Sequence, residues 1–118
     1  MPENARVFIA EDNPQFLEAF GRKLSRAGHI VVSTATSLTD GLDAIKQFEI
    51  LKVQVAVLDG NLSPNDESGS DGRDLVEAID RLAPNVKTVG MSASKIEGVT
   101  IDLGKKNYSD LAAVITSL

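Results

Sequence analysis

The sequence predicts an α/β protein with a parallel β-sheet that is covered by helices on both faces. Two observations lead to this class. Short runs rich in β-branched residues alternate along the chain with longer segments in which apolar residues recur at helical spacing. The run at residues 53–58 (VQVAVL) is the most apolar of the candidate strands, which is typical of a strand buried on both faces. The alternation of strands with helices favours a parallel sheet.

The first strand and the first helix have clear local signals. Residues 6–10 (RVFIA) form a short apolar run that predicts a buried strand. Asn13 before Pro14 predicts a helix start, because asparagine caps helices and proline is favoured at the first helical position. One apolar helical face follows, formed by Leu17, Phe20 and Leu24. Gly28 predicts the end of this helix.

The rest of the chain continues the alternation. Further strands are predicted at residues 29–34, 53–58, 86–91 and 99–103. Helical faces are predicted at Leu38, Leu42 and Ile45, at Leu75, Ile79 and Leu82, and at Leu111, Val114, Ile115 and Leu118. Residues 60–71 are rich in Ser, Asn, Asp and Gly and predict a surface loop. We interpret the single histidine, His29, as a strand-edge residue without a ligand role.

Composition narrows the possible functions. The 118 residues suffice for one domain, which we expect to span residues 1–118 with no output domain. The net charge of −5 and the thin spread of the 12 basic residues disfavour nucleic-acid binding. No apolar run approaches the roughly 18 residues of a membrane span. The N-terminus lacks a signal-peptide pattern, and the chain has no cysteine. We therefore expect a cytoplasmic protein without a membrane partner.

Three carboxylates follow predicted strands. Glu11 and Asp12 come directly after the first strand, and Asp59 closes the third. In an open parallel sheet, ligands bind beyond the carboxyl ends of the strands, at the point where the strand order reverses. If strands one and three are neighbours, the three acids converge, and their mutual repulsion requires a cation. Because all the candidate ligands are oxygen atoms, Mg²⁺ is the favoured ion.

Such a site suits phosphoryl transfer. A carboxylate such as that of Asp59 can attack phosphorus in line and hold an acyl phosphate, while a metal neutralises charge on the phosphoryl oxygens. A hydroxyl group and a further cation are expected beside it. Ser92 ends the fourth predicted strand and Lys105 follows the fifth, so both are candidates for these roles.

In this order, the residues resemble the receiver domains of response regulators in two-component signalling. That family has an acidic pair after its first strand, an acceptor Asp after the third, Ser or Thr and then a small residue after the fourth, and Lys after the fifth. The chain has Glu11-Asp12, Asp59, Ser92-Ala93 and Lys105 at the matching places. The segments VFIAEDNP (7–14), GHIVVSTAT (28–36) and DGRDLV (71–76) are also similar to family segments. The resemblance runs from about residue 6 to residue 118.

The resemblance implies a fold, a site and partners. The implied fold is a flavodoxin-like, doubly wound sheet of five parallel strands in the order 2-1-3-4-5. Asp59 is implied as the phosphoacceptor, and the implied ligands of Mg²⁺ or Mn²⁺ are Glu11, Asp12, Asp59 and the backbone carbonyl of Asn61. Ser92 and Lys105 would contact the phosphoryl group and carry the switch. The implied partners are a histidine kinase or phosphotransfer protein and a downstream target protein.

The chain departs from the family pattern between Ser92 and Lys105. Only residues 93–98 separate Ser92 from the predicted fifth strand, whereas a parallel crossover needs at least roughly 10–12 residues. We therefore predict that the family's fourth helix is absent. The fifth strand also lacks the family's switch aromatic, and Lys106 stands where the family has proline. Either lysine is a candidate for the site, and we favour Lys105 for its spacing to Leu111.

The loop after Asp59 departs in the other direction. Gly72 comes later than the corresponding glycine of the family. The acidic residues of the loop are Asp66, Glu67 and Asp71, which we interpret as charges of a solvated loop.

The leading functional hypothesis is a stand-alone receiver that is phosphorylated on Asp59 and signals by binding a partner. It would be no enzyme beyond promoting its own phosphorylation and dephosphorylation. A receiver that interacts without phosphorylation is the alternative. The predicted loss of the fourth helix and the missing aromatic residue favour it, whereas the intact acidic set opposes it. An aspartyl-nucleophile phosphohydrolase is disfavoured because Asn61 stands where those enzymes place a second acid. A flavin-binding protein is disfavoured because Glu11 and Asp12 would repel its phosphate.

Overall fold

The computed structural model of the chain describes residues 4–60, 62, 70–92 and 95–118. The strands in these residues are β1 Arg6–Ala10, β2 Ile30–Ala35, β3 Val55–Leu58, β4 Lys87–Gly90 and β5 Ile101–Asp102. They form one parallel sheet of five strands in the order β2-β1-β3-β4-β5, which confirms the predicted fold class. The strand order reverses between β1 and β3, so these two strands are neighbours in the middle of the sheet.

Helices cover both faces of the sheet. In the described residues they are α1 Pro14–Arg26, α2 Leu38–Ile45, α3 Phe48–Leu51, α4 Ser70–Leu82 and α5 Leu111–Ser117, with a 3₁₀ helix, Lys105–Asp110, before α5. Helices α1 and α5 contact each other on one face, and α2 contacts α4 on the other. The single turn α3 was not predicted, because four residues show no periodicity. None of the helices in the described ranges is long and apolar enough to cross a membrane.

The hydrophobic core consists of one cluster on each face of the sheet. Because successive side chains of a strand point to opposite faces, β1 and β3 contribute to both clusters. The cluster beneath α2 and α4 includes Phe8, Ala56, Leu58, Leu75 and Ile79. The cluster beneath α1 and α5 includes Ile9, Val57, Phe20, Leu24 and Leu111. The two central strands are thus buried on both faces, as the apolar run at 53–58 predicts.

The predicted start and end of α1 are both confirmed. The Asn13 side chain accepts hydrogen bonds from the amides of Gln15 at 2.9 Å and Phe16 at 3.4 Å. Pro14 is the first helical residue. Past the C-terminus of the helix, Gly28 has a φ of 88°, a conformation that favours glycine. Helix α1 therefore begins immediately after the acidic pair and holds it in the turn that follows β1.

The link between β4 and β5 contains no helix in its described residues, 91–92 and 95–100. This agrees with the prediction from its length. Part of the sheet is covered instead by Ile96, whose side chain is buried in the cluster beneath α2 and α4. One side chain thus fills core space on the face that a crossover helix would cover.

Strand β5 is shorter than predicted. It covers only Ile101–Asp102 rather than residues 99–103. The cause lies at Thr100, whose hydroxyl accepts a hydrogen bond from the Thr88 amide at 3.0 Å. In return, the Thr100 amide donates to the Thr88 hydroxyl at 2.8 Å. These side-chain bonds replace the backbone bonds of a ladder at this position.

His29 is not the strand-edge residue that we predicted but a buried one. Its Nδ1 accepts a hydrogen bond from the Ala5 amide at 3.0 Å, and its Nε2 lies 3.1 Å from the Thr116 hydroxyl. Because that hydroxyl donates to the Ala112 carbonyl at 3.0 Å, we assign the ring proton to Nε2. His29 thus ties the start of β1 to α5, at the opposite end of the sheet from the carboxylates.

Candidate functional site

Two buried acids lie side by side because of the register of the central strands. Ala10 of β1 pairs with Leu58 of β3, so Glu11 and Asp59 are the next residues on adjacent strands. The Asp59 amide donates to the Ala10 carbonyl at 2.9 Å, and the Glu11 amide donates to the Ala35 carbonyl at 3.0 Å. Both residues therefore leave the sheet at its carboxyl edge, beside the reversal of strand order.

The three candidate acids converge there. Glu11, Asp12 and Asp59 each offer a carboxylate oxygen, and these oxygens lie within 4.8 Å of one another. Glu11 and Asp59 are 0% and 2% exposed, whereas Asp12 is exposed. Carboxylates this close repel one another unless they are protonated or share a cation. The arrangement therefore favours the binding of positive charge.

Lys105 brings one cation to the cluster. Its Nζ lies 3.2 Å from Oδ2 of Asp59, and 3.3 and 3.4 Å from the two carboxylate oxygens of Glu11. The ammonium group also lies 4.8 Å from the centre of the Phe16 ring, a distance at which a cation is attracted to an aromatic face. Lys105 thus bridges the two buried acids while its own side chain rests against α1.

The turn before Lys105 decides which lysine enters the site. Gly104 has a φ of 84°, and its amide donates to the Gly90 carbonyl at 2.9 Å. The next residue, Lys105, contacts the acids, whereas Lys106 is exposed. Of the two lysines that the sequence left open, the structure brings Lys105 to the carboxylates.

The charges in the cluster influence one another. Burial is the main cause that raises the pKa of Glu11, to about 8, and the Asp59 charge raises it further. The Asn13 amide, which donates to Oε2 of Glu11 at 3.1 Å, and the charge of Lys105 act in the opposite direction. Burial disfavours the charged form of Lys105, but Asp59 and Glu11 outweigh it, so the pKa of Lys105 is raised. Burial therefore opposes the charged form of Glu11 in the metal-free fold, whereas a bound cation would favour it.

Ser92 lies next to the residue that follows Asp59. It is 3% exposed, and its hydroxyl oxygen has no hydrogen-bond partner in the described part of the chain. A Cβ atom on Gly60 would lie 2.8 Å from this oxygen. A cavity of about 330 Å³ opens beside it, lined by Ser92, Gly104, Lys105 and Lys106. A buried hydroxyl without a partner costs roughly 1–3 kcal/mol, so its stabilisation by an entering ligand is expected.

The donor set fits Mg²⁺ or Mn²⁺. All the converging ligand atoms are carboxylate oxygens, which hard divalent cations prefer. Although Oε1 of Glu11 lies at ion-pair distance from Lys105, it accepts no hydrogen bond from the described residues, so it is available to a metal. The further ligand implied by the family resemblance, the carbonyl of Asn61, lies outside the described residues, as do Asp66 and Glu67.

Two residues near the site were not assigned to it by the sequence. The ring of Phe16 lies beneath the ammonium of Lys105. Asp71, interpreted as a solvated loop charge, is 6% exposed, and its carboxylate accepts a hydrogen bond from the Leu62 amide at 2.9 Å. No local pattern in the sequence marks either residue, because each contact joins residues that are nine or more positions apart.

The fold is similar to solved structures of response regulators. The signal receiver domain of the putative response regulator NarL from Mycobacterium tuberculosis is 24% identical, with a TM-score of 0.77 over 98% of this chain and 96% of that one. A chain of the CheX-CheY-BeF3-Mg²⁺ complex from Borrelia burgdorferi is 15% identical, with a TM-score of 0.78 over 96% of this chain and 87% of that one. The RcsB response regulator of Salmonella typhimurium is 23% identical, with a TM-score of 0.71.

The match to RcsB covers 98% of this chain but 59% of RcsB, so this chain spans little more than half of that protein's length. No protein-family model matches the sequence, and neither does any curated protein. The chain has the fold of response-regulator receiver domains, with its acidic residues at the carboxyl edge of the sheet.

Proposed function

We propose that the chain is a response-regulator receiver that accepts a phosphoryl group on Asp59 in a reaction that depends on Mg²⁺. The observation that carries this proposal is the convergence of Glu11, Asp12 and Asp59 at the carboxyl edge of a receiver fold, where the ammonium of Lys105 contacts Glu11 and Asp59. The buried hydroxyl of Ser92, which lacks a partner among the described residues, supports it further.

The proposed transfer follows from the chemistry of the side chains. A carboxylate oxygen of Asp59 attacks the phosphorus of a phosphohistidine in line, and an O–P bond forms as the N–P bond breaks. The electron pair of the broken bond stays on the imidazole nitrogen of the donor. Lys105 then pairs with a phosphoryl oxygen of the resulting acyl phosphate, and the hydroxyl of Ser92 donates a hydrogen bond to another. Both groups already border Asp59 or the residue after it.

The proposed metal ligands are Glu11, Asp12, Asp59 and the carbonyl of Asn61. When bound, Mg²⁺ or Mn²⁺ supplies electrostatic stabilisation of the phosphoryl oxygens. The Borrelia burgdorferi complex of similar fold contains Mg²⁺ together with BeF3, which supports this assignment by analogy.

Signalling would run through proteins in the cytoplasm. The phosphodonor would be a histidine kinase or a phosphotransfer protein, and the output would be a change in the binding of a downstream protein. The CheX-CheY complex supports a protein partner. We propose no nucleic-acid or membrane partner, since the net charge is −5 and the basic residues are spread thinly. The chain would promote only its own phosphorylation and dephosphorylation.

The test is the formation of an acyl phosphate. The purified protein is incubated with acetyl phosphate and Mg²⁺, and its intact mass is measured. We expect the mass of one phosphoryl group to be gained, and to be lost when EDTA removes the metal. Asp59→Asn is expected to gain nothing, because an amide is not nucleophilic enough to replace the carboxylate. Asp43→Asn, which changes an exposed acid on α2, is the matched control. An unmodified wild-type protein, or a gain that persists in Asp59→Asn, contradicts the proposal.

The second candidate is a receiver that interacts without phosphorylation. It is favoured by the described link between β4 and β5, which contains no helix, and by the absence of an aromatic residue in β5. The same experiment separates the two functions, because a folded wild-type protein that gains no phosphoryl group supports the second.

A further inference from the structure

Asp71 is a buried acid that the proposed phosphoryl transfer does not use. It is the second residue of α4, is 6% exposed, and its Oδ2 accepts a hydrogen bond from the Leu62 amide at 2.9 Å. A buried carboxylate needs such bonds to offset its lost hydration, and the first turn of a helix favours negative charge. Leu62 itself is buried in the core cluster beneath α2 and α4. The carboxylate therefore holds residue 62 firmly against the start of α4.

The next residue, Gly72, binds the same segment from the other side. Its amide donates to the Gly60 carbonyl at 3.1 Å. A Cβ atom at Gly72 would lie 2.8 Å from the Cα of Gly60 and 3.0 Å from the carbonyl oxygen of Asp59. Since only glycine permits so close an approach of two backbones, the first turn of α4 packs directly on the backbone of the proposed phosphoacceptor.

We infer that Asp71 is a positioning residue of the phosphoryl-accepting site, acting through the Leu62 amide. Its carboxylate holds Leu62, and the neighbouring Gly72 holds Gly60, the residue directly after Asp59. Together they keep the geometry that Mg²⁺ and the phosphoryl group require. The inference rests on the proposed function and adds to it a residue outside the acidic cluster.

The experiment compares Asp71→Ala with Asp74→Ala. Asp74 is exposed on the same helix, so its substitution removes the same charge without touching Leu62. The wild-type protein and both variants are studied well below their unfolding temperatures. The readouts are the Mg²⁺ concentration for half-maximal phosphorylation by acetyl phosphate, the rise in Tm on adding Mg²⁺, and the hydrogen-exchange rate of the Leu62 amide in the metal-free protein.

Asp71→Ala is expected to raise the Mg²⁺ requirement by about tenfold or more, as is typical when a group that orients metal ligands is lost. It is also expected to speed the exchange of the Leu62 amide. Asp74→Ala is expected to leave both quantities at the wild-type values.

The inference is overturned if Asp71→Ala lowers Tm but leaves the Mg²⁺ requirement unchanged, because Asp71 is then only structural. It is also overturned if Asp74→Ala raises the Mg²⁺ requirement as much as Asp71→Ala does, because the loss of one negative charge from the helix is then the cause. Should Asp71→Ala fail to fold, Asp71→Asn replaces it, since asparagine keeps the side-chain volume of aspartate but weakens the hydrogen bond from the Leu62 amide. An unchanged Mg²⁺ requirement in Asp71→Asn then contradicts the inference. Failure of the proposed function looks different, because the wild-type protein itself then gains no phosphoryl group.

Discussion

Glu11 is the residue at which burial and charge conflict most directly. Its pKa in the metal-free fold is about 8, against an ordinary value of 4.5, and burial is the main cause. Between these two pH values the folded chain binds more protons than the unfolded chain. The free energy of unfolding therefore falls as the pH rises through this range. Glu11, one of the proposed metal ligands, therefore costs stability in the metal-free protein at pH values above its ordinary pKa.

Glu11→Gln is expected to stabilise the metal-free protein. Glutamine has nearly the same shape as glutamate but carries no charge, so the substitution removes a buried charge without changing the packing. Lys105 keeps Asp59 as a partner. The variant's advantage should be greatest above the Glu11 pKa of about 8 and vanish near 4.5. Urea unfolding in EDTA at several pH values measures it. Glu49→Gln, on the exposed face of α3, is the control, and a wild-type protein that gains stability with pH relative to Glu11→Gln would contradict the argument.

At the scale of elements, the unusual feature is the link between β4 and β5. Its described residues contain no helix, so the sheet depends there on single side chains. Ile96 is buried against Gly60 and Gly72, while Thr88 and Thr100 exchange hydrogen bonds through their hydroxyls. The same short segment therefore closes the core and borders the residue after Asp59.

Ile96→Ala is expected to lower the free energy of unfolding by about 2–5 kcal/mol, the range for removing a large buried aliphatic side chain. Val99→Ala, at a partly buried position of the same link, should cost less. Urea unfolding of both variants measures the difference. A loss in Ile96→Ala no larger than in Val99→Ala would mean that the link does not contribute to the core in this way.

For the whole molecule, the site exists only when distant parts of the chain are folded together. Glu11 follows β1, Asp59 follows β3, Ser92 follows β4, and Lys105 begins the 3₁₀ helix beyond β5. Because an unfolded chain does not assemble these groups, Mg²⁺ should bind the folded state alone and stabilise the entire domain.

Addition of Mg²⁺ is therefore expected to raise Tm, with a gain of about 2.7 kcal/mol in the free energy of unfolding at a concentration 100 times Kd. Thermal unfolding at increasing MgCl₂, with NaCl at matched ionic strength as the control, measures this effect. Asp59→Asn should lose most of it, since one of the three converging carboxylates is gone. An equal rise in NaCl would show that screening of the net charge, rather than a site, is responsible.

Much of the fold followed from local patterns. The start of α1 at Asn13 and its end before Gly28 depend on contacts between residues a few positions apart, which sequence spacing reports directly. The absence of a helix from the described residues between β4 and β5 agrees with a prediction made from chain length alone, because residues 93–98 are too few for a parallel crossover with a helix. The family resemblance then supplied the strand order, and with it the convergence of Glu11, Asp12 and Asp59.

Tertiary packing decided the remainder. Sequence spacing left both Lys105 and Lys106 as candidates for the site. The turn at Gly104 brings Lys105 to the carboxylates. His29 and Asp71 read as surface residues, yet both are buried because their partners, Ala5 and Leu62, come from other segments of the chain. Burial and hydrogen bonding between distant segments depend on how the elements pack in three dimensions. Periodicity and capping signals carry only the information of neighbouring residues, so they could indicate the chemistry of the site but not the contacts that hold it in place.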